Sequence, residues 1–217
     1  MADTPVYRDT VMSLQTLKRL PNYFNYLRNL QKNGVPYASA PLVAHEMGLN
    51  EVQVRKDLAA VSSSPGKPRK GFEVAQLVDS IAECLGYHNK EDAILVGAGK
   101  LGKALLGYRG FEEHGVRIVA AFDINKDLIG TSIGSKKIFP MEKLPSLCRR
   151  MNVHIAVITV PIQQAQEVCD VLVENGILAI WNFAPTHLQA PKKVLVQNEN
   201  LATQLALLSQ HLAETLD

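Results

Sequence analysis

The sequence predicts an α/β protein built in two parts, and three observations predict it. Up to about residue 86 the apolar residues recur at helical spacing, with two short capped helices joined by a Gly-containing turn. Beyond Gly86 the rhythm changes to near-continuous apolar runs that alternate with helical stretches. Directly behind the first of those runs, Gly97, Gly99 and Gly102 form G-x-G-x-x-G. Together they predict an N-terminal winged-helix (helix-turn-helix) domain with a linker helix over 1–86 and a Rossmann domain over 87–198. A C-terminal helix over 199–217 follows.

Taken in order, Val11, Leu14, Leu17, Leu20, Phe24, Leu27 and Leu30 make a helical stripe between Thr10 and Gln31. Pro21 interrupts it. Proline lacks the amide donor of a helix interior, so one helix is expected to end near Arg19 and another to start with Pro21 in its first turn. Gly34 in "KNGVPYAS" suits a helix C-cap. Ser39 is placed to cap a helix over Ala40 to Met47, which Gly48 ends. Asn50 is placed to cap a second from Glu51 to about Val61. Two short helices around a tight turn outline a helix-turn-helix. "SSSPGKPRKGFEV" reads as a loop or hairpin made basic by Lys67, Arg69 and Lys70. In that position a basic hairpin is what a winged helix lays on phosphates and the minor groove. A linking helix is expected from Gly71 to about Gly86.

In the second half the runs "AILVGAG", "IVAAFDI", "HIAVITVP" and "ILAIWNFAP" alternate with helical stretches around 100–109, 141–151 and 162–175. Apolar strands separated by helices imply a parallel sheet with crossover helices. The tail sets Leu201, Leu205, Leu208, Leu212 and Leu216 along one helix face. Such a face packs either on its own domain or on a second copy.

Bulk properties narrow the function. Residues 1–72 carry 10 Lys/Arg against 5 Asp/Glu, a balance of +5, so the remainder of a chain of net charge +2 carries −3. A basic front can face a polyanion. The three cysteines, Cys84, Cys148 and Cys169, are far apart, which argues against a disulfide framework or a zinc site, and no metal is expected. No apolar run approaches the roughly 20 residues of a membrane span, and the N-terminus lacks a signal-peptide core. A cytoplasmic location is expected.

The glycine motif gains weight from its surroundings. The first glycine allows a tight turn, the second lets a pyrophosphate approach the backbone, and the third lets helix and strand meet closely. The helix N-terminus then offers its free N–H groups to phosphate. Asp123 closes the second strand, 21 residues after Gly102. A carboxylate there accepts the adenosine ribose hydroxyls and repels a 2′-phosphate, favouring NAD(H) over NADP(H). An NAD-dependent oxidoreductase is the alternative. The chain leaves no room for a separate substrate domain, however, and His114, His154 and His187 sit in no recognisable catalytic frame. No enzyme is expected.

"VQVRKDLA", "VGAGKLGKAL…Y.GF", "AAFD", "VP…AQ" and "NFAP", in that order and nearly end to end, resemble the Rex repressors, regulators of the NADH/NAD⁺ ratio. The resemblance implies a homodimer with exchanged C-terminal helices that binds a palindromic double-stranded DNA operator when NADH is low and releases it when NADH rises. It implies that Gln53, Arg55 and Lys56 lie on the recognition helix, and Ser39 with the basic hairpin residues Lys67, Arg69 and Lys70 is expected to face DNA beside them. By the same resemblance Gly97, Gly99, Leu101 and Gly102 hold the pyrophosphate and Asp123 the ribose. Ala98 and Lys100 are expected beside them, Lys100 standing where the family commonly has Asn or Arg and adding positive charge near the phosphates. Val160, Pro161, Asn182, Phe183, Ala184 and Pro185 then line the carboxyl edge of the sheet, with Tyr108 near the nicotinamide. A purely structural tyrosine is the competing reading for Tyr108.

The chain also departs from the family. Where the family pairs this tyrosine with an arginine of the DNA-binding domain and an aspartate of the exchanged helix, the aligned residues are Asn25 and Asn200. Two amides replace an ion pair, which implies weakened discrimination between NADH and NAD⁺. The wing reads "VSSSPGKPRKG" in place of an aromatic, glycine-rich "FGxFGKRG".

Overall fold

The computed structural model describes residues 12–216, so Thr10, Val11 and the polar N-terminal segment lie outside the described residues. The chain divides into compact units of residues 1–88 and 89–217.

The first unit contains α1 (Leu14–Lys32), β1 (Tyr37–Ala38), α2 (Ala40–Met47), α3 (Glu51–Val61), β2 (Phe72–Glu73) and α4 (Val74–Cys84). Contrary to the expected break, α1 runs unbroken through Pro21. An interior proline costs about 3 kcal/mol. Leu20, Tyr23, Phe24 and Leu27, on both sides of it, are buried in the core, and four such side chains contribute roughly 6 kcal/mol or more. Burial outweighs the lost hydrogen bond.

The two short helices begin and end where their caps dictate. Ser39 Oγ accepts from Leu42 N at 3.3 Å, and Asn50 Oδ1 accepts from Val52 N at 2.9 Å and Gln53 N at 3.3 Å. β1 and β2 pair antiparallel, Tyr37 opposite Glu73 and Ala38 opposite Phe72, and Lys67 bridges Gly71 to close a tight hairpin. The linking helix therefore starts at Val74 rather than Gly71. Gly71 has φ +86, and a Cβ there would come within 2.3 Å of the Ala38 carbonyl oxygen, leaving no room for a side chain, and the next two residues belong to the ladder. At the other end the ring of Tyr87 meets Phe24 edge-on, centroids 5.0 Å apart.

The second unit contains β3 (Glu91–Val96), α5 (Lys100–Gly107), a 3-10 segment (Arg109–His114) and β4 (Val116–Asp123). β5 (Ser132–Ile133), β6 (Lys136–Pro140), α6 (Leu144–Met151), β7 (Ile155–Ile158) and α7 (Ile162–Glu174) follow, then β8 (Ala179–Asn182), β9 (Leu195–Asn198) and α8 (Leu201–Leu216). The sheet order is β5-β6-β4-β3-β7-β8-β9, parallel except for β5, which pairs antiparallel with β6. The winding reverses at β3, so the crevice at its carboxyl end is the switch point where such sheets bind ligands. The strands β5, β6 and β9 were not among those expected from sequence. β6 buries Ile138 behind two lysines, and β9 lies at the sheet edge with Leu195 exposed. α6 and α7 cover one face of the sheet, with Leu147, Cys148, Cys169 and Leu172 in its core, while α5 sets Leu106 on the other.

Candidate functional site

At the switch point β3 turns through Gly97 into α5. Gly97 has φ +100, and a Cβ there would come within 2.8 Å of the Thr159 backbone; one on Gly102 would overlap the Gly97 carbonyl oxygen. Thr159 Oγ1 donates to that same carbonyl at 2.6 Å. These contacts draw β3, α5 and the end of β7 together. Gly99 is different: it is the N-cap of α5, and a Cβ there would meet nothing within 4 Å. The space in front of the helix N-terminus is open.

Asp123 closes β4 beside the turn. Its Oδ2 accepts from Ala98 N at 2.6 Å and its Oδ1 from Asn125 N at 2.8 Å. A carboxylate offers about four acceptor sites, so capacity remains for further hydroxyl donors. Gly97, Gly99, Asp123, Val160 and Pro161 line a single cavity of about 240 Å³. Ile124, Leu128, Met141, Gln164 and Val168 add to its mostly apolar wall, with Val96, Asn125 and Thr159 beside them. Sequence reasoning missed all eight. Leu128 and Met141 flank the unrecognised β5–β6 hairpin, whereas Ile124, exposed directly after Asp123, was a signal within reach.

The remaining nominated residues lie outside that cavity lining. Asn182 is fully buried, and its amide binds the Ala184 and Thr186 carbonyls and Asn198 Oδ1 while its Oδ1 accepts from Ala184 N. It fixes the loop that carries Phe183, Ala184 and Pro185. Tyr108, the residue that ends α5, is 57% exposed and sits edge-on to Phe111 at 4.9 Å. Phe111 meets Trp181 at 5.7 Å, and Trp181 meets Phe183 at 4.4 Å. Asn200 Oδ1 accepts from Thr203 N at 3.0 Å and caps α8, a task an aspartate would share. Lys100 and Leu101 open α5, and Lys100 is exposed.

In the first unit α3 is anchored by Asp57, which is buried. Arg19 Nε reaches Asp57 Oδ2 at 2.7 Å and its Nη2 reaches Oδ1 at 3.0 Å. Tyr23 Oη donates to Oδ2 at 3.0 Å, and Thr16 Oγ1 and Gln53 Nε2 donate to Oδ1. Burial alone would raise the Asp57 carboxyl, but the hydrogen bonds from Arg19, Tyr23 and Gln53 outweigh it and hold its pKa below the ordinary value. Burial, then the bond to Asp57, pushes Tyr23 up to about 12. Arg55 pairs with Glu51 one turn back, and Lys56 is exposed. On the wing, Lys67 Nζ donates to Tyr37 Oη at 2.9 Å, Lys67 and Lys70 both lie over the Tyr37 ring, and Arg69 is exposed at the turn with φ 62. Ser39 serves as the α2 cap.

Among the described residues no group of three His, Cys, Asp or Glu side chains gathers as a metal site would, and no helix is long and apolar enough to cross a membrane. A helix-turn-helix followed by a basic hairpin, joined in one chain to a Rossmann unit whose cradle is intact, defines a nucleotide-responsive DNA-binding regulator.

Residues 12–59 match the family described as putative DNA-binding protein N-terminus, and residues 88–186 match the one described as CoA binding domain. The redox-sensing transcriptional repressor Rex of Treponema denticola is 39% identical over 201 residues, 93% of this chain and 95% of its own. That of Carboxydothermus hydrogenoformans is 40% identical over 89% of this chain and 93% of its own. The crystal structure of RSP, a Rex-family repressor, in complex with β-NAD⁺ and operator DNA superposes with a TM-score of 0.88 at 33% identity, covering 95% of both chains. RSP in complex with β-NADH gives 0.83, covering 95% of this chain and 97% of its own. This chain belongs to the Rex family of redox-sensing transcriptional repressors.

Proposed function

We propose that the chain represses transcription by binding an operator in double-stranded DNA as a homodimer in the cytoplasm, with NAD(H) in its second unit setting the affinity. What carries this reading is the rim of the cradle: Asp123 bonded to Ala98 beside the open approach at Gly99. The Rex relatives carry redox sensing in their name, and solved RSP structures hold NAD⁺, NADH and operator DNA. The apolar cavity behind Asp123 is smaller than the roughly 300–1,000 Å³ that encloses a drug-sized ligand, and suits the adenosine half of the cofactor. The pyrophosphate lies over the α5 N-terminus, where Lys100 adds a positive charge. The nicotinamide half lies toward Val160, Pro161 and the loop that Asn182 fixes, with Tyr108 at its far end.

In the first unit Arg55 and Lys56 on α3 meet the major groove, Gln53 flanks them, and the wing residues Lys67, Arg69 and Lys70 meet phosphate together with Ser39 at the α2 N-terminus. Two such units related by a dyad read half-sites about 10 bp apart or a multiple of it. The leucines of α8, among them Leu205 at 68% exposure, are the surface for the second copy. Nucleotide acts only by binding the DNA-competent and DNA-incompetent arrangements unequally; a tenfold change in operator affinity needs about 1.4 kcal/mol of such coupling. The chain regulates and turns nothing over.

A specific observation favours a second, finer reading. Asn25 is exposed and Asn200 caps α8, both uncharged where the resemblance implies an ion pair. On that reading the protein binds NADH and NAD⁺ with similar affinity. Calorimetric titration of the nucleotide-free protein with each cofactor tests both. Binding of neither would end the proposal, and much tighter NADH binding would show that redox sensing does not need the ion pair.

A further inference from the structure

The reader helix α3 has an outward line that only one of its three nominated polar residues, Lys56, occupies. Its buried edge is Val54, Asp57 and Leu58. At about 100° per residue, the line diametrically opposite runs through Val52, Lys56 and Ala59. Gln53 lies a quarter-turn aside and is drawn toward the buried edge, its Nε2 donating to Asp57 Oδ1 at 3.0 Å. Arg55 is paired with Glu51. Two of the three polar readers nominated from sequence are thus engaged within the protein.

Val52 stands in a different position. It lies in the first turn of α3, 59% exposed, and its own amide is held by Asn50 Oδ1, so its backbone position is fixed. α3 carries Glu51 and Asp57 against Arg55 and Lys56, so its own charges cancel, and a stiff, β-branched apolar side chain on its outermost line is free to pack on an apolar group of whatever the helix meets. The major groove supplies one such group, the C5-methyl of thymine. Charge complementarity points the same way, since Lys56 follows one turn along the same line and the wing adds Lys67, Arg69 and Lys70.

We propose that Val52 is a specificity-determining residue that reads a thymine C5-methyl in each operator half-site. The inference rests on the DNA-binding function proposed above and adds to it the base class that the reader helix selects. Lys56 sits beside Val52 at phosphate or at a neighbouring guanine, and Gln53 acts on the helix's seating through Asp57.

The test uses the full chain. A duplex site is selected from a randomised library, and each thymine is then replaced singly by deoxyuridine, which removes only the methyl. The wild type should lose about fourfold in affinity at one thymine per half-site, the worth of one buried methyl group. Val52→Ala should weaken binding to the unmodified site by a similar factor and no longer respond to deoxyuridine at that position. Its thermal transition should match the wild type because the side chain is exposed. Indifference of the wild type to every deoxyuridine, or retained sensitivity in Val52→Ala, overturns the proposal. If no duplex is enriched, the DNA-binding function itself falls and this proposal with it. If a duplex is enriched and Lys56→Ala weakens it while the methyl pattern is absent, only the role of Val52 falls.

Discussion

Arg19 on α1 grips Asp57 on α3 with two prongs of its guanidinium, across 38 residues of sequence. Tyr23, one turn further along α1 and beyond Pro21, reaches the same carboxylate. The reader helix is therefore seated on α1 by a buried charge cluster as well as by apolar contact.

Removing that carboxylate should be costly. Asp57→Ala leaves Arg19, Tyr23 and Thr16 without their acceptor, and breaking a buried pair from one side costs ~3 kcal/mol or more. Urea unfolding followed through the helical signal should show that loss, together with weakened DNA binding. Calorimetric affinity for NAD(H) in the second unit should be unchanged.

The same cluster sets a pH window. Asp57 has a folded pKa below its ordinary value, so its contribution is complete above that value and is lost as pH falls through the folded pKa, below about pH 4. Tyr23 has a folded pKa raised to about 12 from 10.0, so its contribution is complete below pH 10 and is lost as pH rises toward 12. Burial also raises Cys84, Tyr26 and Tyr87 of the same unit, so its melting temperature should be flat from about pH 4 to about pH 9 and fall above that. Tyr23→Phe should lessen the alkaline fall and leave the acid one.

Two glycines of the cradle should respond in opposite ways. Gly102→Ala drives a methyl into the Gly97 carbonyl and should destabilise the second unit by about 1–3 kcal/mol. Gly99→Ala meets nothing in the protein and has an ordinary backbone angle, so stability should be kept while cofactor affinity falls. Thermal melts with and without NADH separate the two. Unchanged NADH affinity in a stable Gly99→Ala variant would place the pyrophosphate elsewhere.

Asp123→Ala should weaken NAD(H) by about tenfold or more, the worth of hydrogen bonds to a charged group, and narrow the gap to NADP(H). It also frees the Ala98 amide, so competition titrations with both cofactors are the right comparison.

Much of this was legible in the sequence because local chemistry decided it. The bounds of α2 and α3 follow from Ser39, Gly48 and Asn50, and the cradle from three glycines behind an apolar strand. What was not legible depended on partners distant in sequence. Pro21 was overruled by the core around Leu20 and Tyr23. β6 and β9 are strands because β4 and β8 offer them an edge, since their own residues barely alternate. Asp57 carried no signal of its importance, because its partners on α1 lie 34 to 41 residues away. The apolar wall of the cavity was missed with the β5–β6 hairpin beside it.

A chain ended at Asn198 should lose α8 and its exposed leucines while keeping the sheet, whose last strand is β9. Sedimentation should find it monomeric where the full chain is dimeric, with NAD(H) affinity largely preserved. A dimer after truncation would move the interface to the sheet.

The file of rings from Tyr108 through Phe111 and Trp181 to Phe183 ends beside the loop fixed by Asn182, and Trp181 is the only tryptophan in the chain. Tryptophan emission falls in the absorption band of the reduced nicotinamide and outside that of the oxidised form. A reduced cofactor held near this file quenches the indole by energy transfer; an oxidised one leaves it bright. With the nicotinamide where we propose it, Trp181 should serve as a built-in fluorescent gauge of which form is bound, readable without a label and before any operator is known.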